Sequence, residues 1–128
     1  MLKEFKNEPF VDFTKDDNRK NMEKAISQVE TELCKEYPLI IGGKKFQAKD
    51  KLISYNPSKK DEMIGVFQKA DEDLARKTLE TALATFETWK FEKAEKRASY
   101  LFKAAEIMRR RRFELDSWLV FETGKSWA

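Results

Sequence analysis

Apolar residues recur at helical spacing in three stretches of the sequence, but no stretch supplies an apolar sheet for those helices to cover. The first stripe consists of Met22, Ile26, Val29 and Leu33. The second consists of Leu74, Thr78, Ala82, Leu83, Phe86 and Trp89, and the third of Ala98, Leu101, Phe102, Ala105 and Met108, continuing through Leu115, Trp118 and Leu119. Such stripes are typical of amphipathic helices that pack on another layer. Because the chain lacks repeated strand-helix-strand units with apolar strands, we expect helices without a central parallel sheet.

Short strand signals lie between the first and second helical stretches. The segment LIIGGKKF at 39–46 predicts two strands joined at a Gly-Gly turn, where positive φ angles cost little. Residues 51–55 predict a further strand that ends at an Asn-Pro-Ser turn, and residues 63–67 predict either its continuation or its partner. The sequence therefore predicts an α+β fold for the chain itself, with three amphipathic helical regions and a small antiparallel sheet.

The helix ends carry their own signals. Thr14 is a candidate N-cap for a first helix that runs to about Cys34, and Asp71 opens the second helix with acids in its first turn. The charge-dense residues 109–114 predict a kink in the third helical region, and Gly124 is the expected residue after its end. Before the first helix, the aromatics Phe5, Phe10 and Phe13 predict an arm anchored on the body.

Composition excludes several classes of function. The 128 residues hold 26 Lys and Arg against 23 Asp and Glu, and this small excess does not form a nucleic-acid footprint. No apolar run approaches the roughly 20 residues of a membrane span. With one cysteine, no internal disulfide can form and the cytoplasm is the expected compartment. We therefore expect no nucleic-acid partner and no membrane association.

Residues able to carry chemistry are few. The only cysteine, Cys34, lies near a helix C-terminus in a chain without histidine, which favours a partly buried packing role over a nucleophile or metal ligand. The four arginines at 109–112 spread around roughly 300° of a helix, which favours a salt-bridged surface over a basic face for nucleic acid.

Acids and glycines also have structural explanations. The pairs Asp16 with Asp17 and Asp71 with Asp73 have the spacing of helix starts. The four glycines form neither a dinucleotide-binding loop nor a P-loop. We therefore assign no catalytic, cofactor-binding or metal-binding residue in this chain.

The order of several short motifs resembles the N-terminal region of the aldehyde dehydrogenase superfamily. These motifs are LIIGGKKF at 39–46, YNPS at 55–58, IGV at 64–66, KRA at 96–98 and FETGK at 121–125. The arm segment EPFVDF at 8–13, EYPLIIGG at 36–43 and GKSW at 124–127 resemble the start of the bacterial 1-pyrroline-5-carboxylate dehydrogenase group, which often has proline in place of Ser126.

The resemblance implies an α/β enzyme that uses NAD to oxidise L-glutamate 5-semialdehyde to L-glutamate in proline catabolism. In that family a cysteine thiolate attacks the aldehyde, hydride passes to NAD, and a glutamate-activated water hydrolyses the thioester. The resemblance places these residues and the NAD loop beyond Ala128. It also implies a homo-oligomer, with the rest of the dehydrogenase chain as the partner of these residues.

The resemblance divides the chain into two units. Residues 1–37 form an N-terminal arm and helix, and residues 38–128 form the strand hairpin and the helical opening part of an incomplete NAD-binding domain. We expect the fragment alone to be inactive and to expose apolar faces in residues 74–89 or 101–119. The alternative is a free-standing helical interaction or dimerisation module without catalysis.

Overall fold

The structure, a computed structural model, describes residues 4–127. The first three residues of the predicted arm and Ala128 lie outside this range. The elements in chain order are α1 (Asp16–Glu30), β1 (Lys35–Tyr37), β2 (Leu39–Ile41), β3 (Lys44–Phe46), β4 (Asp50–Asn56), β5 (Lys59–Lys69), α2 (Glu72–Trp89), α3 (Ala94–Arg110) and α4 (Arg112–Thr123). The predicted α+β content of the chain is confirmed. None of the helices within residues 4–127 is long and apolar enough to cross a membrane.

The first helix begins one residue later than predicted and ends earlier. Lys15, not Thr14, holds the N-cap position, because the backbone N–H and hydroxyl of Thr14 are both bound to the Asp12 carboxylate at 3.0 and 2.6 Å. The helix stops at Glu30, and a turn then leads to Cys34, whose φ of 63° lies in the left-handed region. This reversal directs the chain into β1, where the backbone N–H of Cys34 donates to the Ile64 carbonyl at 3.0 Å.

The sheet is mixed and not purely antiparallel as predicted. The antiparallel pairs β2–β3 and β4–β5 are confirmed, with Ile53 opposite Val66 in the second pair. The difference is β1, which pairs in parallel with β5 and places Glu36 opposite Val66. The resulting three-stranded order is β1-β5-β4, and β2–β3 forms a separate two-stranded sheet.

The core lies where α1, α4 and β5 meet. Val29, Ile64 and Phe121 form a buried cluster, and three partly buried side chains pack against it: Ile26, Leu33 and Trp118. The stripe predicted for α1 therefore faces the core as expected. Ser117 is also fully buried, and its hydroxyl donates to the Phe113 carbonyl at 2.7 Å, so this polar group is satisfied inside the helix.

The third helical region is divided, as the sequence predicted. Arg111 has φ −98° and ψ 18°, which separates α3 from α4 within the charge-dense segment. The second helix is capped by Asp71, whose carboxylate accepts from the Leu74 backbone N–H at 2.9 Å. The fourth helix ends at Gly124 with φ 65°, the left-handed conformation expected after a helix C-terminus.

Candidate interaction surface

The residues considered for chemistry occupy structural positions. Cys34 is exposed, which differs from the partly buried position expected, and it lies in the left-handed turn that follows α1. Its thiol donates to the Met63 carbonyl at 3.3 Å. Across residues 4–127 no group of three or more His, Cys, Asp or Glu side chains could hold a metal ion.

The arginine run forms a salt-bridged surface, as predicted. Arg111 binds Glu114 through two nitrogens at 2.9 and 2.5 Å, and Arg112 lies 3.7 Å from Asp116. Arg109 reaches out of its helix and binds Glu8 of the arm at 2.5 Å. This last pair ties the arm to α3, which sequence spacing alone could not reveal.

The three aromatic side chains of the arm differ in whether they pack against the rest of the fold. Phe13 packs edge-on against Trp127, with ring centroids 5.1 Å apart, so it anchors the arm as predicted. Phe5 and Phe10 are exposed, and for these two the predicted anchoring is wrong. A cavity of about 510 Å³ lies between the arm and the apolar sides of α3 and α4, where Met108, Leu115 and Leu119 contribute to its lining.

The main candidate surface is formed by the exposed apolar faces of α2 and α3. Neither helix has a buried residue. On α2, Leu79 is 61% exposed and Leu83 is 56% exposed, and on α3 Leu101 is 73% exposed. The expected exposure of apolar side chains in these segments is confirmed. Exposed apolar groups at this density are typical of protein–protein contact surfaces.

A groove borders α2 on the side of the β2–β3 hairpin. It measures about 410 Å³ and lies between Ile40 and Ile41 of β2 and the threonines of α2. The hydroxyls of Thr78, Thr81 and Thr85 each donate to the carbonyl four residues earlier, at 2.8 to 2.9 Å. Because these hydroxyls are already satisfied, the threonines offer methyl groups, and the groove is suited to apolar side chains.

A second structural feature joins the β4–β5 turn to the end of α4. The Ser58 hydroxyl donates to the Gly124 carbonyl at 3.0 Å. A Cβ on Gly124 would collide with the Ser58 hydroxyl. Both this close approach and the positive φ therefore require glycine at position 124. This contact fixes the direction in which the chain leaves α4.

Glu62 stabilises the same turn through charge-assisted hydrogen bonds. It accepts from Lys59 at 2.8 Å and from the amide of buried Asn56 at 2.6 Å, and Asn56 in turn accepts from the Ser58 backbone N–H at 2.9 Å. The bond from Lys59, followed by that from Asn56, lowers the pKa of Glu62 below its ordinary 4.5. The carboxylate form is therefore favoured in the folded state.

We expect acid to weaken this turn through Glu62. Because its folded pKa is lowered, the stabilisation is complete above pH 4.5 and is lost as the pH falls through the folded value. Glu62→Gln should lower the unfolding free energy at neutral pH and flatten its decline in acid. Urea denaturation at a series of pH values measures both effects. Asp61→Asn is the control, since it removes an exposed carboxylate from the same strand, and an equal flattening by this variant would contradict the assignment to Glu62.

The chain is similar to known dehydrogenases along nearly its whole length. The sequence profile of the aldehyde dehydrogenase family matches residues 18–128. The chain is 50% identical over 127 residues to 1-pyrroline-5-carboxylate dehydrogenase 1 of Halalkalibacterium halodurans, covering 99% of this chain and 25% of the relative. For the 1-pyrroline-5-carboxylate dehydrogenase of Geobacillus thermodenitrificans the identity is 48%, with the same coverage. The chain thus spans about a quarter of the length of these relatives.

A solved structure shows the same fold. The 1-pyrroline-5-carboxylate dehydrogenase from Thermus with bound NAD matches with a TM-score of 0.95 at 40% identity, covering 98% of this chain and 24% of that chain. The α/β class implied by the motifs is therefore confirmed for the family.

Proposed function

The chain belongs to the aldehyde dehydrogenase family, and from this we propose that it is the N-terminal portion of an NAD-dependent dehydrogenase that oxidises 1-pyrroline-5-carboxylate, as L-glutamate 5-semialdehyde, to L-glutamate. The observation that supports this most is the 50% identity to a 1-pyrroline-5-carboxylate dehydrogenase over 99% of the chain. Proline catabolism in the cytoplasm is the corresponding setting, and the single cysteine fits that reducing compartment.

The glycines of the described residues lie in turns, in a strand and at a helix end. A dinucleotide loop needs closely spaced glycines between a strand and a helix. Gly42 and Gly43 form a hairpin turn, Gly65 lies within β5 against the Tyr37 ring, and Gly124 ends α4. We therefore propose that NAD binding and hydride transfer are the work of the remaining polypeptide, and that the fragment alone is inactive.

The proposed division of labour within these residues has two parts. Residues 1–37 serve as an arm and helix, and residues 38–128 open the NAD-binding domain. The exposed faces of α2 and α3 and the groove beside the hairpin support contact with the rest of that domain. Assembly of the complete dehydrogenase into a homo-oligomer belongs to the same proposal.

An activity assay tests the function directly. We expect the complete polypeptide to reduce NAD with 1-pyrroline-5-carboxylate, measured as NADH absorbance, and the 128-residue chain to give no rate above the blank. Cys34→Ser in the complete polypeptide should leave the rate within about twofold, because this thiol donates to the Met63 backbone carbonyl and a serine hydroxyl can do the same. A large loss of rate in that variant, or turnover by the 128-residue chain, would contradict the proposal.

The alternative is a free-standing helical interaction or dimerisation module. The exposed apolar faces of α2 and α3 favour it as well, since a second copy could cover them. The two proposals differ in the mass of the endogenous polypeptide on an immunoblot of a native extract. A band several-fold heavier than 15.1 kDa supports the dehydrogenase, and a band at 15.1 kDa supports the module.

A further inference from the structure

We propose that residues 4–11 of the arm form a hinged strap over the apolar side of α3 and α4, and that the ion pair between Glu8 and Arg109 is its latch. Salt concentration then sets how often the strap is open and the cavity beneath it is accessible. The strap, its latch and its hinge all lie within residues 4–127, so the proposal does not depend on the dehydrogenase function proposed above.

The latch is a single exposed ion pair. Glu8 and Arg109 are 101 positions apart in the sequence, and their side chains meet at 2.5 Å while they remain 51% and 62% exposed. Among the described residues, this pair is the one hydrogen bond or ion pair that residues 4–11 make. An exposed ion pair favours the closed arrangement by about fivefold or less. The latch by itself therefore leaves a measurable fraction of the straps open.

Packing adds little to the latch. The cavity of about 510 Å³ lies between the strap and the apolar sides of α3 and α4, and a second cavity of about 650 Å³ lies between the strap and Phe102 of α3. Phe5 is 84% exposed and Phe10 is 101% exposed, so neither ring fills these cavities. Apolar side chains that remain in water gain no stabilisation from burial. The strap is therefore held over the helices mainly by charge.

The hinge lies directly after the strap. Asp12 is fixed to α1, because its backbone carbonyl accepts from the Asn18 side-chain amide at 2.9 Å. The next residue, Phe13, packs edge-on against Trp127 with ring centroids 5.1 Å apart. Residues 4–11 have no regular secondary structure. They can therefore turn about this anchored point without breaking a helix or a strand.

Arg109 is the arginine of the 109–112 run that can reach the strap. Arg111 is bound to Glu114 and Arg112 lies beside Asp116, so both are paired with acids of α4. Because the latch is exposed, dissolved salt screens it. The distance over which charges act on one another falls from about 10 Å at 0.1 M salt to about 3 Å at 1 M salt. We therefore expect the strap to close at low salt and to open at high salt.

Trypsin cleavage after Lys6 measures the open fraction of the strap. A protease needs an extended segment that is free of the helices, so the cleavage rate follows the population of the open form. With the chain at about 1 µM, where self-association is small, and in about 0.1 M NaCl, we expect cleavage about twofold to sixfold slower than in a free peptide of residues 1–14. In about 1 M NaCl the two rates should agree within about 1.5-fold. Mass spectrometry measures the initial rates, and the peptide corrects for the effect of salt on the protease.

Two arginine variants separate the latch from net charge. Arg109→Glu should raise the low-salt cleavage rate to that of the peptide, because Glu8 then faces a like charge. Arg110→Glu is the matched control, since Arg110 makes no ion pair among the described residues and the sequence of the strap is the same in both variants. This control should keep the protection and its dependence on salt.

Each of the other outcomes overturns the proposal. Protection that persists in Arg109→Glu, or in about 1 M NaCl, would show that packing and not the ion pair holds the strap. Equal loss of protection in Arg109→Glu and Arg110→Glu would show that net charge is the cause. Cleavage of the unaltered chain at the rate of the peptide in low salt would show that the strap does not close.

Discussion

Ile64→Ala should lower the free energy of unfolding of the 128-residue chain by about 3 to 4 kcal/mol. Ile64 is 1% exposed and lies in β5 between Val29 of α1 and Phe121 of α4. Removing its outer carbons loses their transfer energy and leaves a cavity where three elements meet. Because a domain of this size is stable by only about 5 to 15 kcal/mol, the loss is a large fraction of the total. Urea denaturation followed by circular dichroism measures it.

Ile40→Ala is the matched control for this substitution. The same side chain is removed, but Ile40 is 61% exposed on β2 and borders the groove beside α2. Its loss should change the free energy of unfolding by no more than about 0.5 kcal/mol. If the two variants were equally destabilised, the core would not lie where α1, α4 and β5 meet.

The features that sequence predicted well are those set by residues close together in the chain. The spacing of Met22 and Val29 placed both on one face of α1, and both are buried. Gly42 and Gly43 both have positive φ angles in the predicted hairpin turn, and Gly124 ends α4 in the left-handed conformation. Each of these follows from local backbone preferences, which the sequence expresses directly.

The parallel pairing of β1 with β5 could not be predicted in the same way. Lys35 pairs with Gly65, thirty positions away, and β1 is only three residues long, which is too short for an alternating pattern to be visible. The position of β1 depends on the turn at Cys34 and on the hydrogen bond from the Cys34 backbone N–H to the Ile64 carbonyl. Such pairing is decided by tertiary packing and not by local propensity.

The candidate surface was predicted only in outline. Periodicity identified α2 as amphipathic and placed Thr78 and Phe86 on its apolar face, but it omitted Leu79, which is as exposed as Leu83. The omission arises because the apolar residues of α2 cover two adjoining faces. One borders the hairpin groove and the other is open, and only the position of the hairpin distinguishes them. The ion pair between Glu8 and Arg109 likewise depends on where the arm lies.

The exposed apolar faces should make the 128-residue chain self-associate. We expect its average mass in sedimentation velocity to rise as the concentration rises across about 10 to 200 µM. The reason is that association covers the unpartnered apolar side chains, and a higher concentration favours association by mass action. The chain should also bind an apolar dye such as ANS. A monomer throughout that range, with no dye binding, would contradict the exposure of Leu79 and Leu83 on α2.

Leu79→Lys combined with Leu83→Lys should suppress this self-association and lower dye fluorescence by on the order of half, because both charges lie on the open face of α2. Ala84→Lys is the control, since at about 100° per residue it lies roughly 140° around the helix from Leu79, among the polar side chains. One added charge there should leave association and dye binding nearly unchanged. In the complete polypeptide the double variant should instead impair assembly, because the same face would then be buried beside the rest of the dehydrogenase. If Ala84→Lys suppressed association and dye binding as strongly as the double variant does, the cause would be net charge and not the open face of α2.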